Sequence, residues 1–146
     1  MYSKTEQPQA VQRLRDAGLR ATGARVAILA ALESDRRHPT AEMLFESLRA
    51  HFPSLSMSTV YATLESLLQR GLARRIAGAS GRLRVDGTPQ DHDHAVCRNC
   101  GAVFDVDQDW FERPAAPREL PHGLQVTNLH IEYEVVCPSC THEDGQ

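Results

Sequence analysis

The chain has 146 residues, 41% of them apolar and few aromatic, which suits one ordinary domain or two small ones with a core of Leu, Val, Ala and Ile. Its net charge of −3 conceals an asymmetry: residues 1–85 carry 13 Arg or Lys against 7 Asp or Glu, and residues 86–146 carry 3 against 12. The polar opening MYSKTEQPQA reads as neither signal peptide nor membrane span, so a cytoplasmic chain with reduced thiols is expected, its basic half facing a polyanion and its acidic half cations.

Taken in order, the first half reads as helices. QAVQRLRDAG carries Val11 and Leu14 on one face and ends at Gly18, placed as a C-terminal cap. Thr22 is positioned to cap a second helix, with Val26, Leu29 and Leu32 on one face and Ile28 beside them, until Arg36-Arg37-His38-Pro39 breaks it. Thr40 precedes AEMLFESLRAHF, in which Met43, Leu44, Leu48 and Phe52 form the expected buried stripe, ended by Pro53. In SMSTVYATLESLLQRG, Val60, Leu64, Leu67 and Leu68 share a face and Gly71 closes the helix; Ser58, Thr59, Tyr61, Ala62 and Thr63 read as the opposite face. LARRIAGASGRLRVDG then alternates around a Gly/Ser turn, as a hairpin does.

Short helices followed by a basic hairpin predict a winged helix-turn-helix, whose late helix enters the major groove of double-stranded DNA. Ser58, Thr59 and Tyr61 are the candidates to meet bases or backbone, and Arg25, Arg74 and Arg75 to meet phosphates. After the linker TPQD, HAVC and GAVFDVD read as strands around a CRNCG knuckle. Residues 113–122, with three prolines, allow only a short helix. LQVTNLHIEYEVVC alternates as a strand, with Leu129, Ile131, Tyr133 and Val135 on one face and His130, Glu132 and Glu134 on the other.

Cys97-x-x-Cys100 and Cys137-x-x-Cys140, 36 residues apart, predict one tetrahedral Zn²⁺. Four thiolates leave no position for substrate, so this metal holds the fold. A thioredoxin-type redox pair lacks its βαβ context here, and the deaminase pattern H-x-E before P-C-x-x-C does not match. A zinc-ribbon enzyme would leave the basic half unexplained, and a structural zinc-binding adaptor would bind no specific DNA.

His92 and His94 point the same way on an extended segment, with Asp93 opposite. Asp86 and Asp105, each beside apolar residues, and His38 are candidates to complete a nitrogen/oxygen site suited to Fe²⁺ or Mn²⁺. From spacing alone, surface acids and a hydrogen-bonded histidine pair remain an alternative.

The blocks H-P-T-A-E (38–42), S-T-V-Y-x-T-L (58–64), G-L-A-R (71–74), H-D-H-x-x-C-x-x-C-G (92–101) and the last C-x-x-C resemble, in order and spacing, the ferric uptake regulator (Fur) superfamily. The resemblance covers residues 10–140. It implies an α+β chain: a winged-helix DNA-binding domain over 1–86, a hinge over 87–91, and a small α/β dimerisation domain with a Cys₄ zinc over 92–146. It further implies a homodimeric repressor on an inverted-repeat operator, with a regulatory metal at His38, Asp86, His92, His94 and Asp105. Aspartate at 105, where iron-responsive members typically have Glu, resembles the peroxide-responsive, PerR-like branch, in which ligand histidines are oxidised. An iron or manganese sensor without that response is the alternative. Ala62 stands where many members carry Arg or Asn. Leu129 replaces a histidine of an additional metal site whose acids match Asp93 and Glu112. His51, His122 and His142 match no ligand position.

Overall fold

The structure is a computed structural model that describes residues 7–76 and 83–141. The chain divides into two compact units, Met1–Gln90 and Asp91–Gln146. The first is built from α1 (Gln7–Asp16), α2 (Gly23–Ser34), α3 (Ala41–Leu48), α4 (Met57–Gln69) and an antiparallel pair, β1 (Arg74–Ile76) and β2 (Arg84–Asp86). α2 is apolar nearly all round, from Val26 to Leu32, and is therefore the helix the others cover. Leu14 of α1, Leu44 and Leu48 of α3, Val60, Leu64 and Leu67 of α4 and Val85 of β2 close the core around it. An Arg13–Glu33 ion pair fastens α1 to α2.

Side-chain caps start the helices where the sequence places them. The oxygens of Thr22, Thr40 and Ser56 accept from the backbone N–H groups of Arg25, Met43 and Thr59. Gly18 adopts φ +74° after α1, the left-handed conformation that ends a helix without a Cβ clash. Three expectations change. α3 ends at Leu48, not at Phe52; past it the chain tightens, with the His51 N–H reaching back only three residues to the Leu48 carbonyl, which the Phe52 N–H shares. In so short a helix the buried positions are Ala41, Leu44 and Leu48, and Met43 is exposed. Thr63, one turn beyond Val60 on α4, is buried and not on the outer face. The hairpin turn at 77–82 lies outside the described residues.

The second unit is a three-stranded sheet of order β4-β3-β7, from β3 (Asp93–Cys97), β4 (Val103–Val106) and β7 (Glu132–Val135). β4 runs antiparallel to β3 and β7 parallel to it. Within 113–122 the one helical element is a short 3₁₀ turn, Pro121–Gly123, between β5 (Glu119–Leu120) and β6 (Leu124–Gln125), which make a small antiparallel pair, and α5 (Pro138–Thr141) carries the last cysteine of the second knuckle. The long alternating strand expected across 124–137 is thus two short ones. The N–H of Leu129 turns to the Asn128 side chain and that of Ile131 to Asp93, so neither is available to continue a ladder there. Among the described residues, no helix is long and apolar enough to cross a membrane.

Candidate metal centres and nucleic-acid face

The two knuckles bring Cys97, Cys100, Cys137 and Cys140 together, with one sulfur of each within 4.8 Å of the others. Cys97 ends β3, and its carbonyl accepts the Gly101 N–H, which folds the first knuckle; Cys137 begins the turn into α5. Zinc–sulfur bonds of about 2.3 Å in a tetrahedron set sulfurs about 3.8 Å apart, and Cys100 and Cys137 stand at 3.7 Å. Backbone N–H groups, that of Cys100 foremost, hold the Cys97 thiol down at about 6. The facing Cys137 sulfur, with burial, pushes Cys140 up to about 12. Four such sulfurs cannot share negative charge without a cation, and this donor set fits Zn²⁺.

In the first unit His38 and Asp86 are both buried, with His38 Nδ1 3.6 Å from Asp86 Oδ1. His38 sits at φ +52°, a conformation non-glycine residues rarely hold without support. Support comes from both sides. Arg37 grips Asp35, the cap of α2, through two bonds of 2.8 and 2.7 Å, and holds that carboxyl below its ordinary range. Arg84 of β2 donates to the carbonyls of Arg37 and His38 at 3.1 and 3.0 Å. Asp86 ends β2. Its Oδ1 accepts the Thr88 N–H at 2.8 Å, and its Oδ2 accepts from Arg74 Nη2 of β1 at 2.9 Å. Gly87 is needed next to it, because a Cβ there would meet Leu32 at 2.6 Å.

In the second unit the rings of His92 and His94 are 4.7 Å apart, edge to face. Asp105 of β4 is the register partner of His94, and its Oδ1 lies 3.3 Å from His92 Nε2. Two imidazoles and a carboxylate on one patch are a donor set for Fe²⁺ or Mn²⁺. Asp93 faces away from this patch and is occupied otherwise. Its Oδ1 accepts from Arg113 Nη2 at 3.1 Å and from the Ile131 N–H at 3.0 Å, and the same Nη2 reaches the Leu129 carbonyl. Arg113 thus engages Asp93, one of the two acids that match an additional metal site, and the other, Glu112, is exposed.

α4 presents Ser58, Thr59, Tyr61 and Ala62 to solvent. Ser56 Oγ, the cap, lies 2.9 Å from both Ser58 Oγ and Thr59 Oγ1. With Arg20, Thr22 and Arg25, Ser58 and Thr59 line an open groove of about 620 Å³, which suits a phosphate backbone. Arg20 was not singled out from sequence; the only signal is its place between the Gly18 stop and the Thr22 cap. The Tyr61 hydroxyl donates to Glu42 Oε1 at 2.8 Å, and that bond raises its phenol above the ordinary range. Arg75 is exposed, whereas Arg74 is turned to Asp86. Arg84 and Arg113 were missed as well, because both act through partners distant in sequence. His51 and His122 are exposed, and His142 lies outside the described residues.

A profile of the ferric uptake regulator family matches residues 16–134. The chain is 30% identical to the peroxide operon regulator of Bacillus subtilis over 140 residues, 96% of this chain and 97% of that protein. It is 33% identical to the transcriptional regulator FurA of Mycobacterium tuberculosis over 138 residues, 94% of this chain and 93% of that one. Among solved structures it is similar to the ferric uptake regulator from Pseudomonas aeruginosa with manganese, at 27% identity and a TM-score of 0.71, covering 88% of this chain and 98% of that one.

Proposed function

This chain belongs to the ferric uptake regulator family, whose members are metal-responsive transcriptional regulators and not enzymes, and from that premise we propose that it is a cytoplasmic, homodimeric DNA-binding repressor that senses hydrogen peroxide. In this reading Zn²⁺ is held by Cys97, Cys100, Cys137 and Cys140 as a structural ion. A regulatory Fe²⁺ or Mn²⁺ is held by His38, Asp86, His92, His94 and Asp105. The double-stranded operator is an inverted repeat, met by Arg25, Ser58, Thr59, Tyr61, Arg75 and, once metal is bound, Arg74.

The observation that carries the peroxide reading is the short acid at 105. Its carboxylate lies 3.3 Å from His92, so a ligand histidine stands where an oxidant generated at the metal would act. When bound, Fe²⁺ supplies an electron to hydrogen peroxide beside its own ligands, and Mn²⁺ does this poorly. The chain's residues do the rest. His38 and Asp86 come from the first unit and His92, His94 and Asp105 from the second, so a shared ion ties residues 87–91 at one geometry. That geometry sets the separation of the two α4 helices in the dimer, and half-site spacing selects for it. Metal and DNA then favour the same conformer, and each tightens the other by the same factor. Loss of a histidine ligand to oxidation unties the hinge. A second copy suits the second unit, where Trp110, Phe111, Leu120 and Leu124 are 45–64% exposed.

An iron or manganese sensor without peroxide chemistry is the second reading, favoured by the FurA relative standing at similar identity to the peroxide regulator. Asp105→Glu separates the two. The longer acid should retain Fe²⁺-dependent DNA binding but respond far less to hydrogen peroxide in a DNA-binding titration. An unchanged peroxide response in that variant removes Asp105 as the determinant.

A further inference from the structure

Arg74 links two sets of residues with different tasks. The sequence places it among the phosphate contacts, and its neighbour Arg75 is exposed as that role requires. Yet Arg74 Nη2 lies 2.9 Å from Oδ2 of Asp86, whose side chain is fully buried, while the arginine's own side chain keeps 26% exposure. Asp86 needs this partner. A buried carboxylate is costly to leave without a cation, and the Arg74 guanidinium brings one to it. Arg74, by contrast, can leave at small cost, because its long stem reaches solvent.

We propose that Arg74 is the stand-in cation of the metal-free protein, and that a divalent ion at His38 and Asp86 displaces it towards a DNA phosphate. This inference rests on the proposed regulatory site and concerns only residues of the first unit. A doubly charged ion beside Asp86 takes over the compensation of that carboxylate and repels the guanidinium. The freed guanidinium gains most where phosphate oxygens accept its paired N–H groups. Metal occupancy is thereby converted into one additional cation on the DNA face, independently of any change in the angle between half-sites. Because the same arginine competes with the ion in the absence of DNA, its removal has two effects of opposite sign.

The test uses the zinc-loaded full chain, Mn²⁺ as the metal, and a duplex carrying a single half-site, where dimer geometry matters least. Arg74→Gln should bind Mn²⁺ about tenfold tighter or more in the absence of DNA, and its DNA affinity should gain less from Mn²⁺ than that of the wild type. Arg74→Lys, which keeps the charge, should restore the wild-type order. Arg75→Gln should weaken DNA binding equally with and without Mn²⁺. In the wild type, the dependence of log K on log salt should steepen by about one with Mn²⁺, the signature of one more phosphate contact. That measurement decides the matter even where Arg74→Gln folds poorly. Unchanged or weaker Mn²⁺ binding by folded Arg74→Gln, or equal salt slopes in the wild type, overturns the inference. If His38→Ala binds Mn²⁺ as the wild type does, the regulatory site itself is misplaced and the inference falls with it.

Discussion

His38 and Asp105 show how a proposed ligand is held as much by what surrounds it as by its own chemistry. His38 occupies a left-handed backbone position, and two arginines, one on each side of it in sequence, keep it there: Arg37 through Asp35, and Arg84 through the carbonyls of residues 37 and 38. Arg84 touches no proposed ligand atom, yet Arg84→Ala should loosen the loop and lower Mn²⁺ affinity by roughly tenfold or more. Its zinc content should stay at that of the wild type, since the cysteines belong to the other unit. Metal analysis combined with a Mn²⁺ titration checks both halves. Equal Mn²⁺ affinity in a folded Arg84→Ala protein would show that the His38 loop needs no clamp. Asp105 has a different setting: it lies on β4 opposite His94 and within 3.3 Å of His92, so a single methylene added there moves a carboxylate relative to both rings.

Among the elements, α4 carries the sequence-specific claim. Ser56 caps it and ties the hydroxyls of Ser58 and Thr59 into one cluster, while Glu42 of α3 holds Tyr61. If Tyr61 makes one good base contact, Tyr61→Ala should cost on the order of 1–3 kcal/mol on the cognate site and much less on random DNA. A competition assay with both duplexes reads the difference; the same loss on each would place Tyr61 outside the recognition surface. The helices were legible because their signals are local. Thr22 and Thr40 announce two of the starts, and Gly18 an end. What failed was tertiary. Met43 and Thr63 could not be placed correctly without knowing how many turns α3 has or which side of α4 faces α2. Alternation through 124–137 looked like one strand because period-two patterning ignores where backbone N–H groups go. Here Asn128 and Asp93 claim two of them, and only Glu132–Val135 pairs with β3. The cysteine pairs were legible by spacing and the histidine set through the family resemblance, but Arg74, Arg84 and Arg113 needed coordinates to reveal their partners, each more than ten residues away.

At the scale of the molecule, charge and chemistry divide between the two halves of the chain: a basic helical half, proposed to meet DNA, and an acidic sheet half that gathers four cysteines. Among the described residues the sheet unit has little core of its own, its buried apolar side chains being those of β3, β4 and the two inner cysteines. Under the proposed assignment, zinc at the four cysteines supplies much of its stability. Cys97→Ser or Cys137→Ser should lose zinc, dimer and cooperative unfolding together, as read by metal analysis, sedimentation and thermal melting. A variant that keeps one zinc per chain and remains dimeric would contradict the structural assignment.

The peroxide reading is tested most directly by following DNA binding and covalent state in one experiment. Fe²⁺-loaded and Mn²⁺-loaded protein are each titrated with hydrogen peroxide on an inverted-repeat operator, and the protein is then analysed by peptide mass spectrometry. The account predicts that the Fe²⁺ form releases DNA at low peroxide with one oxygen added at His38 or His92, while the Mn²⁺ form stays bound and unmodified. Release accompanied by disulfides among Cys97, Cys100, Cys137 and Cys140, with His38 and His92 intact, would contradict it and place the sensor at the zinc knuckles.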